Sequence, residues 1–540
     1  MQIFLPIQVS DRGSKSMTTR FHWSFRRARR ALLLVLAPAI VNGCTELTEV
    51  PKDALTPENA FKTEEEILAG VASVYASLRG MMWGYYNISE ISSDELVVPT
   101  RGSDWFDNGR WLEIHRQGWA PNSGSALDDM NGMWNDLFAG VAKANLMINV
   151  MEQSTSAQRD VVIAELRTLR AWFYYMLQDM FGGVPLVTTT EVQQYPRATR
   201  QQIYDFIVAE LNAARTELPA SWPANQYGRV TAGAADAILA NLYLNAGVFT
   251  KETGIDATGY NSCATVAGAC QAAIDAANRV INSGEYNMAG PWTGNFSTSN
   301  EGSDENIFVV AHAAEPGLGM SIQMRGLHYN QLVPSPWNGF AMLADTYNSF
   351  DADDARRDVI LIGQQFSYNT GEAVEDRNGA PLIFTDTIAN IESASEAEGP
   401  RLMKFPPLPG APAGDAHPND FTFFRLAEMY LIRAEASFEL GTGTPLADIN
   451  FVRERHFDPD EPLAVVTRDA ILAERLFELA GEAKRRQDLI RHGRYTAQRE
   501  SCQGTDPDCI KPARPAHIVL MPIPQTQIQN NPLLTQNPGY

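Results

Sequence analysis

This sequence predicts a mostly α-helical protein, built from tetratricopeptide-like helical pairs packed with a loop-rich, mixed half. Three observations carry that expectation. Apolar residues recur at three- and four-residue steps through long stretches of both ends of the chain. On the stripes so formed, small residues stand among bulky ones, as Ala427, Leu431, Ala434 and Phe438 do, which lets antiparallel helices approach closely. Between Asn287 and Asp420 the composition shifts to Gly, Pro, Asn, Ser and aromatics, with short β-like runs such as Asn306 to His312. No strict 34-residue repeat can be read, so the helical units are degenerate.

Helical periodicity begins near Glu64. The clearest helix places Val162, Leu166, Leu169, Phe173, Leu177 and Met180 on one stripe and stops at Gly182-Gly183, with Pro185 beyond. Further helices are expected over Ile203–Leu218, Ala232–Gly247, Cys270–Gly284, Phe423–Gly441, Pro445–Phe457 and Ile471–Gly493. In the last of these, Glu474, Glu478 and Glu482 alternate with Arg475, Lys484, Arg485 and Arg486. Such spacing supports a helix by tenths of a kcal/mol per pair, about 0.2–0.5. The reading preferred over an anion site is paired charges that fix helix packing. Near the C-terminus, the prolines of Pro522-Ile523-Pro524 favour an extended, strand-like path through PIPQTQI.

The N-terminus carries an address. Basic FRRARR (Phe25 to Arg30) precedes apolar ALLLVLAPAIV (Ala31 to Val41), too short to span a bilayer, and then Asn42-Gly43-Cys44. With Val41 and Gly43 before it, Cys44 resembles a lipobox cysteine, so the mature chain would begin there and hang from lipid. Met1 and Met17 both remain open as the start. The other four cysteines form two pairs, Cys263 with Cys270 and Cys502 with Cys509, each enclosing six residues. In an exported protein two local disulfides are the economical reading. Residues 1–43 hold seven Lys/Arg and one Asp, so the exported chain has 36 basic and 63 acidic residues, net −27. So acidic a chain does not seek nucleic acid by electrostatics.

Several stretches resemble the SusD/RagB family of nutrient-binding outer-membrane lipoproteins. They are FFRLAEMYLIRAEAS, ILAERLFELAGEAKRRQDLIRHGRY and the terminal LMPIPQTQIQNNPLLTQNPGY, with TPENAFKTEEEILAGVASVYASL and ELRTLRAWFYYMLQDMFGGVPLV toward the N-terminus. The resemblance implies four tetratricopeptide-like pairs against a variable, loop-rich half. It implies a lipid-anchored protein on the outer membrane, facing the cell exterior, that captures oligosaccharide or peptide for a TonB-dependent transporter of the SusC type. The expected organisation is a signal over 1–43, a tether over 44–60 and one domain over 61–540. Within it the scaffold lies mainly at 61–286 and 421–495, a loop-rich insertion at 287–420 and an extended tail at 496–540.

Sugar recognition needs flat aromatic faces beside planar amides, carboxylates and guanidinium groups. One segment crowds Arg101, Asp104, Trp105, Asp107, Asn108, Arg110 and Trp111 around a glycine-containing loop. A second offers His328, Tyr329, Asn330, Trp337 and Asn338, and Trp83 and Trp292 are further candidates. The expected ligand contacts are Trp105, Trp337, Arg101, Asp104, Asn108, Trp111, Tyr329, Asn338 and Trp83. Burial is the competing reading for each, because tryptophan is more often core than platform. Trp134 and Trp172 fall on helical stripes and are expected in the core.

An enzyme is not expected. The seven histidines of the exported chain are scattered, and neither a GxSxG elbow nor a phosphate-cradling glycine loop is present. Asp351 to Asp354 begin like a calcium loop, but Arg356 and Ile362 occupy its sixth and twelfth positions. No cofactor is expected, and structural calcium is not indicated. A purely structural scaffold, with no ligand of its own, is the remaining alternative.

Overall fold

The computed structural model describes Phe61 and residues 63–540, apart from 123 and 504–506. The signal, Cys44 and the tether at 44–60 lie outside the described residues. The first helix, Glu64–Ala76, starts where Thr63 and Glu66 form a reciprocal capping box, with three glutamates in its first turn. Thr199 and Gln202 repeat the device at Arg200–Ala214, and Thr231 and Thr467 cap Ala232–Leu244 and Arg468–Leu479.

The helices stack in sequence. Leu127–Glu152 packs on Arg159–Phe181, which packs on Arg200–Ala214, which touches Ala232–Leu244, and Ala232–Leu244 pairs with Ala269–Ile281. A Cβ on Gly140 would come within 2.6 Å of the Phe173 ring, so the first of these pairs depends on that glycine for its close approach. The chain leaves the stack after Ile281 and rejoins it at Leu426–Leu440, which packs directly on Ala269–Ile281. The loop-rich segment is therefore inserted between two touching helices. At its base Asn306–Val310 pairs antiparallel with Phe421–Arg425. Trp172, 1% exposed, meets Phe308 and Phe423 edge-on there and stacks on Tyr175.

Several boundaries differ from expectation. The helix expected from Phe423 begins at Leu426, because the aromatic run Phe421–Arg425 is drawn into that buried strand pair. The helix expected over Ile471–Gly493 is two, Arg468–Leu479 and Arg485–Arg491; between them Gly481 (φ 76°) and Ala483 (φ 60°) turn the backbone left-handed. The helix expected to reach Gly247 ends at Leu244, and the short helix Ala246–Phe249 follows. PIPQTQI is extended only through its prolines: Gln525–Asn530 is a helix with Pro524 just before it, where a missing N–H costs nothing.

The alternating charges are also placed differently from a solvated helix face. Glu478 accepts from Arg425 (2.5 Å), His456 (2.8 Å), Arg356 (3.0 Å) and Arg455 (3.0 Å), all from other elements, and is fully buried. Glu482 binds Lys404 at 2.5 Å and Arg425 at 2.9 Å. Burial acts to raise the Glu478 pKa, but Arg425, His456 and Arg455 outweigh it and hold the carboxyl well below its ordinary range. These groups fix helix packing, as expected, through a buried network that spans the insertion, the strand pair and three helices.

Both cysteine pairs are disulfides, Cys263–Cys270 and Cys502–Cys509, each closing a local loop. The tail docks on the first helical layer. Met521 N donates to Met180 O (2.7 Å), and Asn537 Nδ2 to Phe181 O (3.0 Å). Those two carbonyls lie in the last turn of Arg159–Phe181, where helical partners run out. No helix among the described residues is long and apolar enough to cross a membrane.

Candidate functional site

Two loops meet to form an aromatic surface. The segment after Ile91 is joined to the insertion by a short antiparallel pair, Leu96–Val97 with Ala341–Met342. That pairing brings the Asp104–Trp105 turn beside the loop carrying Trp337. Trp105 adopts φ 62° and donates its Nε1–H to the carbonyl of Trp337 at 2.6 Å. Its ring rests edge-on against Trp111 and Phe340 and lies so close to Gly339 that any Cβ there would collide with it. Trp105 is half-buried and serves as a strut beneath Trp337.

Trp83 meets Trp337 at the surface, Trp337 being half-buried against Met324, Leu327, Leu332 and Met403. Their rings stack with centroids 6.1 Å apart and planes 22° from parallel, and Trp83 is 46% exposed. Behind Trp83 sits Arg325, 1% exposed, its guanidinium 4.3 Å from the indole centroid. Among the described residues Arg325 has no carboxylate partner: it donates to Asn87 Oδ1 (2.6 Å) and Met82 O (2.9 Å), and burial pushes its pKa down to about 10. Its own carbonyl accepts from Gly339 N (2.7 Å) and Phe340 N (2.8 Å), and Trp337 N donates to the neighbouring Met324 O (2.7 Å). Arg325 thus supports Trp83 with its side chain, while the adjoining Met324 carbonyl holds Trp337 and the Arg325 carbonyl holds the two residues Gly339 and Phe340.

A polar rim adjoins the indoles. Tyr329 donates its hydroxyl to Asp104 Oδ2 (2.5 Å), and Arg377 lies 4.2 Å over the Tyr329 ring. Arg377 also approaches Asp104 (3.3 Å) and ion-pairs with Glu396, which His328 Nε2 meets at 3.0 Å. Burial acts to raise the Glu396 pKa, and the bonds from His328 and Arg377 bring it below its ordinary value. Burial raises the Tyr329 pKa, and its bond to Asp104 adds to the rise, so it is a neutral donor.

Of the expected contacts, Trp83, Trp337, Trp105, Tyr329 and Asp104 are brought together. Others from the same segments face inward. Trp111 is 2% exposed, with its Nε1–H on Asp107 Oδ2 (2.6 Å), and belongs to the core. Arg101, 2% exposed, donates to the carbonyls of Ser395 and Glu398, joining two loops. Asn338 is fully buried, bonded to Glu396 O (3.0 Å) and Arg401 (3.2 Å). Asn108 is exposed on the turn before Arg110–His115, and Trp292 is buried against Phe296 and His456. Arg325, Arg377, Glu396 and the 55%-exposed Phe106 were not expected at the site. Only Arg377 left a trace, in the turn sequence DRNG. Among the described residues no group of three or more His, Cys, Asp or Glu is gathered to hold a metal, and Asp354 is committed to Arg356.

The chain matches two family models: the SusD family over residues 336–540, and "Starch-binding associating with outer membrane" over residues 58–244. It is 24% identical to SusD-like protein P25 of Formosa agariphila over 92% of this chain and 96% of that one. It is 25% identical to the starch-binding protein SusD of Bacteroides thetaiotaomicron over 84% and 85%. A laminarin-binding SusD-like protein shares the fold with TM-score 0.69 and 24% identity, covering 89% of this chain and all of that one. So does surface glycan-binding protein A of Bacteroides thetaiotaomicron, solved with laminarihexaose, at TM-score 0.66, 19% identity and coverage of 88% and 99%. With one model on residues 58–244, the other on residues 336–540, and relatives aligned along nearly the whole length, the chain is similar to the SusD family along nearly all of its length.

Proposed function

We propose that this protein is a non-catalytic, lipid-anchored receptor on the outer-membrane surface that captures neutral oligosaccharide on the Trp83–Trp337 face. It passes that ligand to a TonB-dependent transporter of the SusC type. The observation that carries the reading is the stacked pair of an exposed Trp83 and a half-buried Trp337 on a frame built by Arg325, Trp105 and Gly339. Stacking of a pyranose C–H face on indole, with hydroxyls bonded to Asp104 and Tyr329, requires no covalent chemistry. Arg377 is already committed to Asp104 and Glu396, which favours an uncharged ligand over an acidic one. The names of the relatives, for starch, laminarin and glycan binding, support the same class.

Isothermal titration of the protein against malto-, laminari- and cello-oligosaccharides tests it. Trp83→Ala and Trp337→Ala should each weaken binding of the accepted class by more than about tenfold, roughly 1.4 kcal/mol, with the circular-dichroism spectrum unchanged. Unchanged affinity in both variants, or silence across the panel, would sink the reading. Anchoring is tested separately: Cys44→Ser should move the protein from the membrane fraction to the soluble fraction.

A further inference from the structure

The connection between helices Arg200–Ala214 and Ala232–Leu244 is far longer than such neighbours need, since 2–8 residues usually suffice. It is also well ordered. Trp222 Nε1 donates to Val230 O (2.9 Å), Val230 N to Tyr75 Oη (2.9 Å) and Ala232 N to Pro219 O (3.0 Å). Arg229, paired with buried Glu165, lies 3.6 Å from the centroid of the Trp222 ring. Beside this connection lies a groove of about 310 Å³, lined among others by Trp222, Tyr227, Tyr286, Glu301, Asp304 and Asn306. It shares no residue with the tryptophan pair.

We propose that this groove is a second saccharide site, taking one or two units of a neutral hexopyranose chain. Three aromatic rings line the groove: Trp222, held as above, Tyr286, held through a 3.0 Å bond between its hydroxyl and Thr231, and Tyr227, 40% exposed, whose hydroxyl bonds to Asp420. Asn306 donates through Nδ2 to Asn295 O (3.1 Å), while its Oδ1 is buried without a donor. Asn306 lines the groove, and a rotation of its amide would be needed to bring that acceptor to a ligand hydroxyl. Charge narrows the class from both sides. The exposed carboxylates of Glu285, Glu301 and Asp304 repel an acidic chain, and Arg229 already occupies one face of Trp222, where a cationic ligand would otherwise stack. What remains is an uncharged polyol with an apolar face. The inference shares only its ligand class with the proposed function and depends on different residues.

The test is fluorine NMR on the full chain labelled with 5-fluorotryptophan, the Trp222 signal being assigned by Trp222→Phe. Maltohexaose, laminarihexaose, cellohexaose and hexagalacturonate are the probes, each to about 10 mM. At least one neutral hexasaccharide should shift the Trp222 signal saturably, in the unaltered chain and in Trp83→Ala/Trp337→Ala alike, and hexagalacturonate should leave it unmoved. Should that double variant fail to fold, Tyr227→Ala serves: it should raise the midpoint at Trp222 at least threefold and leave that at Trp337 unchanged. A Trp222 signal that no neutral probe moves overturns the proposal. So does a shift that disappears with the tryptophan pair, or one that hexagalacturonate reproduces. Movement at Trp337 alone leaves the proposed function standing while this inference falls.

Discussion

Arg325 carries its charge into a setting with no counterion among the described residues, surrounded by Trp83, Tyr86 and Phe340. Burying a charge is costly unless its hydrogen bonds are supplied, and here an amide and a carbonyl supply two of them while Nε is left without one. Its return is geometric: the guanidinium plane holds Trp83 outward. Arg325→Met should therefore weaken saccharide binding by about tenfold, roughly 1.4 kcal/mol, and lower stability by about 1–3 kcal/mol as Asn87 Oδ1 loses its donor. Arg325→Lys should restore stability better than affinity, because an ammonium has no plane to stack. Titration calorimetry beside urea unfolding separates the two effects. Equal affinity in Met, Lys and unaltered chains would show that Trp83 needs no such support. At this scale the sequence was half legible. Two tryptophans in a glycine-containing loop pointed to a functional turn, yet Trp105 and Trp111 cannot be ranked without knowing which way the turn faces. Nor could Arg325, more than two hundred residues from Trp83, be linked to it from spacing.

Elements were legible where a stripe ran uninterrupted. Arg159–Phe181 could be read to its last turn, whereas Leu127–Glu152, the longest helix among the described residues, was not singled out. Two glycines and four asparagines interrupt its apolar pattern, and tertiary packing against Phe173 restores what propensity lacks. The Glu474–Arg486 segment shows the opposite limit. Its charges were read as helical neighbours, but a left-handed break at Ala483 sends them to separate partners. Removing one member leaves others buried and unmatched, so Glu478→Gln should cost about 3–5 kcal/mol in urea unfolding. A loss under about 1 kcal/mol, the range of solvated pairs, would mean that the network is wet.

For the whole molecule, buried ion-paired carboxylates of this kind set a pH dependence, Glu478 in the network above and Glu435 in a separate cluster around Arg491. Glu435, like Glu478, is held well below its ordinary pKa: burial acts to raise it, and Arg491 and His492 outweigh burial. The unfolded chain binds protons at these carboxyls near an ordinary value of about 4.3, and the folded chain does so only at lower pH. Their contribution is complete above the unfolded value and is lost as pH falls below it toward the folded values. Glu95 acts in the other direction, raised by burial and by Glu90, so it opposes folding as pH rises. Thermal unfolding followed from pH 7 to pH 3 should show a steep loss of Tm below about pH 4.3. The loss should be shallower in Glu478→Gln, and identical slopes would remove the network as its cause.

The docking of Met521 and Asn537 on the last turn of Arg159–Phe181 also bears on the order in which the protein can be completed. A chain delivered N-terminus first, by a ribosome or through an export pore, presents that helix some three hundred and forty residues before its closing partners arrive. Until then the last turn of Arg159–Phe181 lacks these two donors, so that helix end is completed only by residues brought from the far end of the sequence.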